Sequence, residues 1–323
     1  MKKISIVTGC YNEEGNVEEV VRQVRSTMAR LAFYEYEHIF IDNCSEDRTV
    51  EILKRLAHED RNIKIIVNAR NFGHIRSPYH GLLQASGDAV ICLVADLQDP
   101  PEMILEFINK WEKGYKIVVG IKTSSAENSL MYLARGFYYK VIKRLASVEM
   151  LEQFTGFGLY DRAVMDILRG LREPYPYFRG LIADIGFEIA RIPYNQPERR
   201  YGKTKNDFFS LFDMAVLGFT NYTKIPLRLA TLMGFFAAGM SLLVGTGYLV
   251  AKLIFWNTFT AGMAPVLIGI FFLGSVQLFF LGVVGEYVGA VFTYVQNRPL
   301  VVEKERINFD DPNDNNQVHK AVS

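Results

Sequence analysis

The first third of the chain alternates short apolar runs with longer stretches in which apolar residues recur at helical spacing. The runs "KISIVTG", "EHIFID", "IKIIVN", "AVICLV" and "YKIVVGI" predict strands, and segments between them, such as "EEVVRQVRSTMARL" and "PEMILEFINKW", predict amphipathic helices. Short continuous apolar strands between such helices are typical of a mainly parallel sheet covered on both faces. The pattern therefore predicts an α/β fold, whose ligands bind at the carboxyl ends of the strands.

The region from about residue 121 to residue 200 has a mixed pattern. Here "FTGFGLYDRAVMDILRGL" predicts a turn followed by a helix, "FEIARIPY" predicts a strand, and "NQPERRYGKTKND" predicts a basic polar loop. We assign this mixed region to the same domain as the preceding strands.

Two long uncharged runs follow, from Leu229 to Ala251 and from Leu253 to Gly285. Each is long enough to cross a bilayer. A buried hairpin in a soluble protein is the alternative, but apolarity on all sides favours a membrane. We predict a domain over 1–203, interfacial amphipathic helices over 204–226, two transmembrane helices over 227–294, and a partly disordered tail over 295–323.

Basic residues flank the predicted hairpin on its outer sides, while its tip has only Lys252 nearby. They are Arg191, Arg199, Arg200, Lys203, Lys205, Lys224 and Arg228 before the first helix, and Arg298, Lys304 and Arg306 after the second. The positive-inside rule then predicts a multi-pass protein of the inner (plasma) membrane, with its first domain and both termini in the cytoplasm.

Net charge and cysteine spacing argue against nucleic-acid binding, a cysteine metal site and a disulfide framework. The net charge of +1 argues against a nucleic-acid partner. The three cysteines (Cys10, Cys44 and Cys92) have neither the spacing of metal ligands nor that of a disulfide framework.

Polar side chains follow four successive predicted strands. The first strand leads into "YNEE" (residues 11–14), the second into Asp42 of "IDNCSEDRT", the third into Arg70 of "RNFG", and the fourth into Asp96 of "VADLQDPP". Each motif alone has a structural explanation, such as capping of the next helix by Asn12 or Asp47. Their common position at the carboxyl edge of one sheet favours a binding site. No GxGxxG motif follows the first strand, so the main sequence signature of a dinucleotide oxidoreductase is absent.

The ordered motifs "YNEE", "IDNCSEDRT", "RNFG", "ADLQDPPE", "TGFGLYDR" and "RRYGKTK", followed by two apolar helices, resemble the inverting family-two glycosyltransferases. "ADLQDPPE" with the C-terminal hairpin is similar to the polyprenyl-phosphate branch, the group that includes dolichyl-phosphate mannose synthase. The resemblance implies a GT-A fold and transfer, with inversion, of a sugar from a nucleotide-sugar, a UDP-sugar by expectation, to undecaprenyl phosphate. The implied product, a polyprenyl-phosphate-sugar, would serve glycan or cell-envelope modification.

The resemblance also implies roles for individual residues. The donor-binding residues it implies are Tyr11, Asn12, Glu13, Asp42, Arg70 and Asp96. Asp96 and Gln98 would hold Mg²⁺ or Mn²⁺, and Lys122 and Arg135 would bind the acceptor phosphate. The catalytic residues it implies are Asp96, Asp99 and, in the basic loop that closes over the donor diphosphate, Arg200, Lys203 and Lys205. A lipid phosphate is largely ionised at pH 7, so the reaction does not require strong proton abstraction.

One departure from the family pattern leaves alternatives open. Val94 stands where many relatives have an acidic residue. A nucleotide-binding scaffold with impaired catalysis is therefore an alternative. A component of a polysaccharide synthase is a separate alternative, although two spans per chain are too few to enclose a polymer channel without oligomerisation. Small residues such as Gly274, Gly282 and Gly285 also predict that the apolar helices pack into a homo-oligomer.

Overall fold

A computed structural model describes residues 1–123, 151, 153–171, 173–197, 225–255, 263–296 and 298–309. The strands are β1 (Lys2–Cys10), β2 (Tyr34–Asp42), β3 (Ile63–Asn68), β4 (Ala89–Val94), β5 (Ile117–Lys122), β6 (Phe154–Asp161), β7 (Ile189–Tyr194) and β8 (Glu303–Ile307). The helices are α1 (Val17–Ala29), α2 (Thr49–Glu59), α3 (Gly73–Gln84), α4 (Ile104–Glu112), α5 (Arg162–Gly170), α6 (Phe178–Asp184), α7 (Ile225–Ile254) and α8 (Met263–Gln296). They divide into two compact units, one formed around the sheet and one containing α7 and α8.

The strands form one mixed sheet in the order β7-β5-β6-β4-β1-β2-β3-β8. Strands β4, β1, β2 and β3 are mutually parallel, and β5 is parallel to β7. Only β6 and β8 run in the opposite direction among the strands that the structure describes. The predicted α/β fold is confirmed, with six strands ending at the same edge of the sheet.

Helices cover both faces of this sheet. One core contains the apolar sides of α1, α2 and α4, with Phe107 and Phe157 in edge-to-face contact. The other contains those of α3, α5 and α6, around buried Tyr79 and Tyr160. The two cores explain why the central strands have nearly continuous apolar sequences: both sides of each strand are buried.

The segment "FTGFGLYD" was predicted as a turn, and that prediction is wrong. It forms β6, which pairs antiparallel with β4 and β5. Glycines are common in turns, but Gly158 is needed here because the backbone of the neighbouring strand β5 lies very close to it. A Cβ at this position would lie 2.4 Å from the carbonyl oxygen of Val118.

The sequence pattern also missed β8, in the segment 298–309 that follows α8. Its residues "EKERI" are mostly charged, and ion pairs and hydrogen bonds hold them to the sheet unit. Glu303 pairs with His80 at 2.6 Å, Glu305 pairs with Lys54 at 2.6 Å, and Asn308 donates to two backbone carbonyls. The predicted disorder of the tail covers the final stretch from Asn308. Asn308 itself is held by the two hydrogen bonds just given, and residues 310–323 lie outside the described residues.

The two predicted apolar helices are present as α7 and α8. The spans Ile225–Ile254 and Gly269–Gln296 each have a mean hydropathy of 1.7 and are long enough to cross a membrane. No residue of either span's most apolar window is buried inside the structure. The predicted interfacial helices over 204–226 lie almost entirely outside the described residues.

One buried histidine should make stability depend on pH. His38 is buried, accepts or donates a 2.9 Å hydrogen bond with Thr8 Oγ1, and burial lowers its pKa to about 3. Since an unfolded histidine binds a proton near pH 6.5, protonation below that pH favours the unfolded state. We expect His38 to cost the protein about 2 kcal/mol of stability between pH 7.5 and pH 5.

Thermal unfolding of wild type and His38→Gln at both pH values measures this effect. The glutamine variant should lose less stability on acidification, whatever its stability at pH 7.5. His58→Gln, at an exposed position of α2, is the matched control and should keep the wild-type pH dependence. Equal pH dependence in wild type and His38→Gln would contradict the assignment.

Candidate active site

The polar strand-end motifs meet at the carboxyl edge of the sheet. In the register of the sheet, Cys10 at the end of β1 is opposite Asp42, and Gly9 is opposite Val94 at the end of β4. Lys122 ends β5, where it is opposite Tyr194 of β7. The loops after β1, β2, β3 and β4 and the end of β5 therefore share one edge.

The loops after β1 and β2 are cross-linked by hydrogen bonds. The Asn12 backbone N–H donates to Ser45 Oγ at 2.9 Å, and Asn12 Oδ1 accepts from the Glu46 N–H at 2.8 Å. The Glu13 N–H donates to Thr49 Oγ1 at 2.8 Å. Asn12 thus joins two loops and does not cap α1, which begins at Val17. Asp47 precedes the N-cap residue of α2, Arg48, and accepts from the Thr49 N–H at 3.0 Å.

Two buried acids at this edge, Asp42 and Glu13, have defined environments. Asp42 is fully buried and accepts hydrogen bonds from the backbone N–H and the hydroxyl of Ser45. Burial raises its pKa above the ordinary value, and the bonds from Ser45 oppose that rise. Glu13 is buried beside it and accepts from Asn16 Nδ2 at 2.6 Å. The Glu13 carboxylate thus supports the start of α1, through Asn16.

Asn43 connects the second loop to the third. Its Nδ2 donates to Asn71 Oδ1 at 2.8 Å, and its Oδ1 accepts from the Phe72 N–H at 2.9 Å. Arg70, in this third loop, is exposed, and its guanidinium lies 4.0 Å from the centre of the Phe72 ring. The ring holds the arginine side chain flat at the edge where the donor is expected.

The "ADLQDPP" loop after β4 carries two of the predicted catalytic acids, Asp96 and Asp99. Asp96 is half-buried, and its Oδ1 accepts from the Gln98 backbone N–H at 3.1 Å. Gln98 is also half-buried. Val94 is 42% exposed at the end of β4, so its side chain faces outwards at this edge.

Asp99 is the most strongly perturbed carboxyl group in this loop. It is only 3% exposed and accepts a 2.9 Å hydrogen bond from Tyr194 Oη. Burial and the nearby charge of Asp96 raise its pKa to about 7, against the opposing effects of Tyr194 and Lys122. Asp99 thus connects the β4 loop to the end of β7.

This buried acid should cost stability at neutral pH. Because its pKa is higher in the folded state than in the unfolded state, ionisation favours unfolding, and stability falls as pH rises from about 4 through 7. Asp99→Asn keeps an acceptor for Tyr194 and removes the charge. We expect the variant to be about 2 to 4 kcal/mol more stable than wild type at pH 8, with no difference at pH 4.

Denaturant unfolding at pH 4 and pH 8 measures that difference. The matched control is Asp166→Asn, whose exposed carboxylate should give a small effect at both pH values. An Asp99→Asn variant with no gain at pH 8 would show that the carboxyl is not held near neutrality.

Strained backbone marks the same loops. Asn12, Cys44 and Leu97 have φ angles of 55°, 66° and 60°, and each lies in a loop at the carboxyl edge. Residues other than glycine adopt this left-handed conformation at a cost of roughly 1–3 kcal/mol each, and such positions concentrate at functional sites. The loops after β1, β2 and β4 are therefore held in fixed shapes by the hydrogen bonds around them.

The chemistry of the loop limits how a metal ion would bind. Among the residues that the structure describes, no group of three or more His, Cys, Asp or Glu side chains is arranged to hold a metal. Asp96 and Gln98 offer oxygen ligands at one place, which fits an ion that takes its other ligands from a donor phosphate and water. The residues thus fit a shared ion and do not form a complete protein cage.

Several predicted site residues lie outside the described part of the chain: Arg135, Arg200, Lys203 and Lys205. Of the others, Asp96, Gln98, Asp99 and Lys122 are brought to one side of the edge, and Tyr11, Asn12, Glu13, Asp42 and Arg70 to the other. Asn43 and Tyr194 are functional-site residues that the sequence pattern does not indicate. Asn43 lies within the motif "IDNCSEDRT", whereas Tyr194 has no local signal, because its contact with Asp99 forms only in the fold.

Comparisons with known proteins show which chains this one is similar to. Residues 5–168 match the family model of glycosyl transferase family 2. The chain is 34% identical over 304 residues, 94% of its length and 98% of the relative's, to the SfII prophage-derived bactoprenol glucosyl transferase of Shigella flexneri. It is 33% identical over 92% of its length, and 92% of the relative's, to an uncharacterized glycosyltransferase of Bacillus subtilis. Among solved structures, glucosyl-3-phosphoglycerate synthase from Mycobacterium tuberculosis matches 66% of this chain and 75% of its own, with 18% identity and a TM-score of 0.43.

Proposed function

The chain belongs to glycosyltransferase family 2, and from that premise we propose that it transfers a sugar from a nucleotide-sugar to a polyprenyl phosphate at the cytoplasmic face of a membrane. The observation that carries the proposal is the convergence of four strand-end loops at one edge, with Asp42 at one side and Asp96 at the other. The finer expectations are a UDP-sugar as donor, undecaprenyl phosphate as acceptor and inversion at the sugar.

The side chains at the carboxyl edge of the sheet suit the chemical groups of a nucleotide-sugar. A nucleoside needs acceptors and a flat surface, which Asp42, Asn12 and the Arg70–Phe72 stack supply. A diphosphate needs charge neutralisation next to it, and Asp96 with Gln98 stands two strands away from Asp42 in the sheet order. Neighbouring strands are about 4.8 Å apart, so this separation of roughly 10 Å suits a nucleoside diphosphate.

The acceptor proposal rests on the relatives and on the chemistry of the edge. Relatives that align along almost the whole chain are bactoprenol glucosyl transferases by name. A phosphate monoester is largely ionised at neutral pH and needs positioning and charge neutralisation more than a strong base. Lys122, at the end of β5, would supply a positive charge beside Asp99, with Arg135 as a second contact.

Departure of the nucleotide requires neutralisation of the diphosphate. Mg²⁺ or Mn²⁺, held by Asp96 and Gln98, would stabilise the charge that develops on the leaving group. Arg200, Lys203 and Lys205 would add donors when their loop closes over the diphosphate. Asp96 and Asp99 would orient the acceptor phosphate, and Tyr194 would hold Asp99 in place.

Membrane attachment is supported by α7 and α8. Both are apolar on all sides, with side chains such as Phe235, Phe236 and Leu242 more than 70% exposed, a surface that water does not stabilise. Strands before α7 and β8 after α8 belong to the same sheet. If both helices cross the membrane, both ends of the chain must lie on one side, and the basic flanks favour the cytoplasm.

The test is transfer in isolated membranes. Membranes that contain the full chain are incubated with undecaprenyl phosphate, Mg²⁺ and each of a panel of radiolabelled nucleotide-sugars, and lipid-linked product is extracted. One or more donors should give a product that membranes with Asp96→Asn do not form. If no donor gives a product while calorimetry detects UDP binding, the chain is a nucleotide-binding scaffold; a long polymer as product would instead favour a polysaccharide synthase.

The predicted homo-oligomer is tested separately by crosslinking in native membranes, where monomer alone would count against it.

A further inference from the structure

The start of α3 differs from the other long helices that begin at the carboxyl edge. The first turns of α1 and α2 carry acids, Glu18 and Glu19 in one and Glu51 in the other. The first turn of α3 carries no acid. Because the amino end of a helix is electropositive, acids stabilise it and cations do not. α3 nevertheless begins beside basic side chains.

Three arginines from two segments meet here, and we refer to Arg70, Arg76 and Arg298 as the arginine cluster. The guanidinium groups of Arg70 and Arg76 lie 4.0 and 5.7 Å from the centre of the same Phe72 ring. Arg76 donates a hydrogen bond to the carbonyl of Pro299, next to Arg298. Burial, and then the charges of Arg70 and Arg298, lower the pKa of Arg76, as expected for cations held close together.

The arginine cluster is not neutralised within the described part of the chain. No acidic side chain in that part forms a salt bridge with any of the three arginines, and Arg76 Nε is buried without a hydrogen-bond partner. Further along α3 the situation is different. His80 pairs with Glu303 at 2.6 Å, and Glu303 also pairs with Arg306 at 2.7 Å. The excess positive charge is therefore confined to the start of α3.

The position of the arginine cluster suggests its ligand. Arg298 follows the last residue of α8, Gln296, by two positions, so it comes directly after an apolar span. In the sheet order, β3 is three strands from β4. This places the start of α3 roughly 14 Å from the Asp96 loop, too far for the same phosphate group.

We propose that Arg76 and Arg298 of the arginine cluster bind the phosphate of an anionic phospholipid headgroup at the membrane surface, while Arg70 stays at the donor edge beside them. The proposal rests on the membrane attachment given under the proposed function. Basic residues next to a membrane span attract anionic lipids electrostatically, and clustered guanidinium groups add directed hydrogen bonds to phosphate. Such a contact would stabilise the positive end of α3 and hold segment 298–309 against it.

The experiment measures lipid binding directly. Full-length protein, purified in neutral detergent, is titrated with dioleoyl phosphatidylglycerol or dioleoyl phosphatidylcholine, and bound lipids are counted by native mass spectrometry. Wild type should bind the first lipid about tenfold more tightly than the second. Arg76→Gln/Arg298→Gln should lose most of that preference. Arg61→Gln changes an exposed arginine before β3, at the opposite edge of the sheet, and should keep it.

Three further measurements keep the outcomes distinct. If the double variant unfolds, Arg298→Gln alone replaces it, because that side chain is exposed and its removal leaves no buried gap. If the variants lose undecaprenyl phosphate binding and keep phosphatidylglycerol binding, the cluster belongs to the acceptor site and the proposal fails. An unchanged lipid preference also overturns it. Sugar transfer, assayed in neutral detergent, should persist in Arg76→Gln/Arg298→Gln and in Arg298→Gln. A wild-type protein that transfers no sugar would count against the proposed function and not against this lipid site.

Discussion

Asp96→Asn is expected to reduce sugar transfer by at least about 100-fold without unfolding the protein. Asp96 is the half-buried acid at the end of the central β4 strand, and its carboxylate is oriented by the Gln98 backbone N–H. Asparagine keeps the size and the acceptor for that N–H, but it removes the negative charge. A divalent ion shared with the donor diphosphate would lose its one charged protein ligand in this loop.

The measurement is the initial rate of lipid-linked product formation at saturating nucleotide-sugar over a range of Mg²⁺ concentrations. Asp166→Asn, an acid on the exposed side of α5, is the matched control and should keep the wild-type rate. Melting temperatures of both variants should stay close to that of wild type. Wild-type transfer by a folded Asp96→Asn enzyme would remove this loop from the mechanism and would favour a donor held by basic residues alone.

Gly158→Ala should cause the largest loss of stability from a single added methyl group. The new Cβ would lie 2.4 Å from the Val118 carbonyl oxygen and 3.1 Å from Val119 Cα, both backbone atoms of the neighbouring strand. Backbone cannot move aside as a flexible side chain can, so β5 and β6 would have to separate. We expect a cost of about 3 kcal/mol, which corresponds to a melting temperature lower by about 6–12 °C.

Thermal unfolding of the purified full-length chain tests this expectation. Gly170→Ala is the matched control, because a Cβ at the end of α5 meets nothing within 4 Å. That variant should remain within about 0.5 kcal/mol of wild type. Equal melting temperatures for Gly158→Ala and Gly170→Ala would mean that the β5–β6 contact is looser than the structure has it.

The elements that could be predicted from the sequence are those whose own residues carry a recognisable apolar pattern. Strands β1 to β5 and helices α7 and α8 carry their apolar patterns along their whole length. Strand β6 was missed because close packing required glycines, which are also the usual residues of turns. Strand β8 was missed because charged side chains hold it in place, and pairs such as Lys54–Glu305 join residues far apart in sequence.

The candidate site divides in the same way. Asp42, Asp96 and Asp99 were found because each stands next to the end of a predicted strand. The cross-links that fix the loops were not predictable, because Asn12, Asn43 and Tyr194 find their partners in other loops or strands. The left-handed backbone of Cys44 and Leu97 gave no signal either, since neither residue type favours that conformation.

The pairing of β8 with β3 also constrains the order in which the protein is made. The ribosome completes β3 early, yet β8 emerges only after both apolar helices have been synthesised. Throughout that interval the outer edge of β3 has unpaired N–H and carbonyl groups, the kind of edge along which unfinished chains associate. The globular part of this enzyme can therefore finish folding only after its hydrophobic hairpin has left the ribosome, so that emergence of the hairpin and closure of the sheet become successive steps of one biosynthetic process. A shortened chain that stops before α7 would keep that edge open permanently.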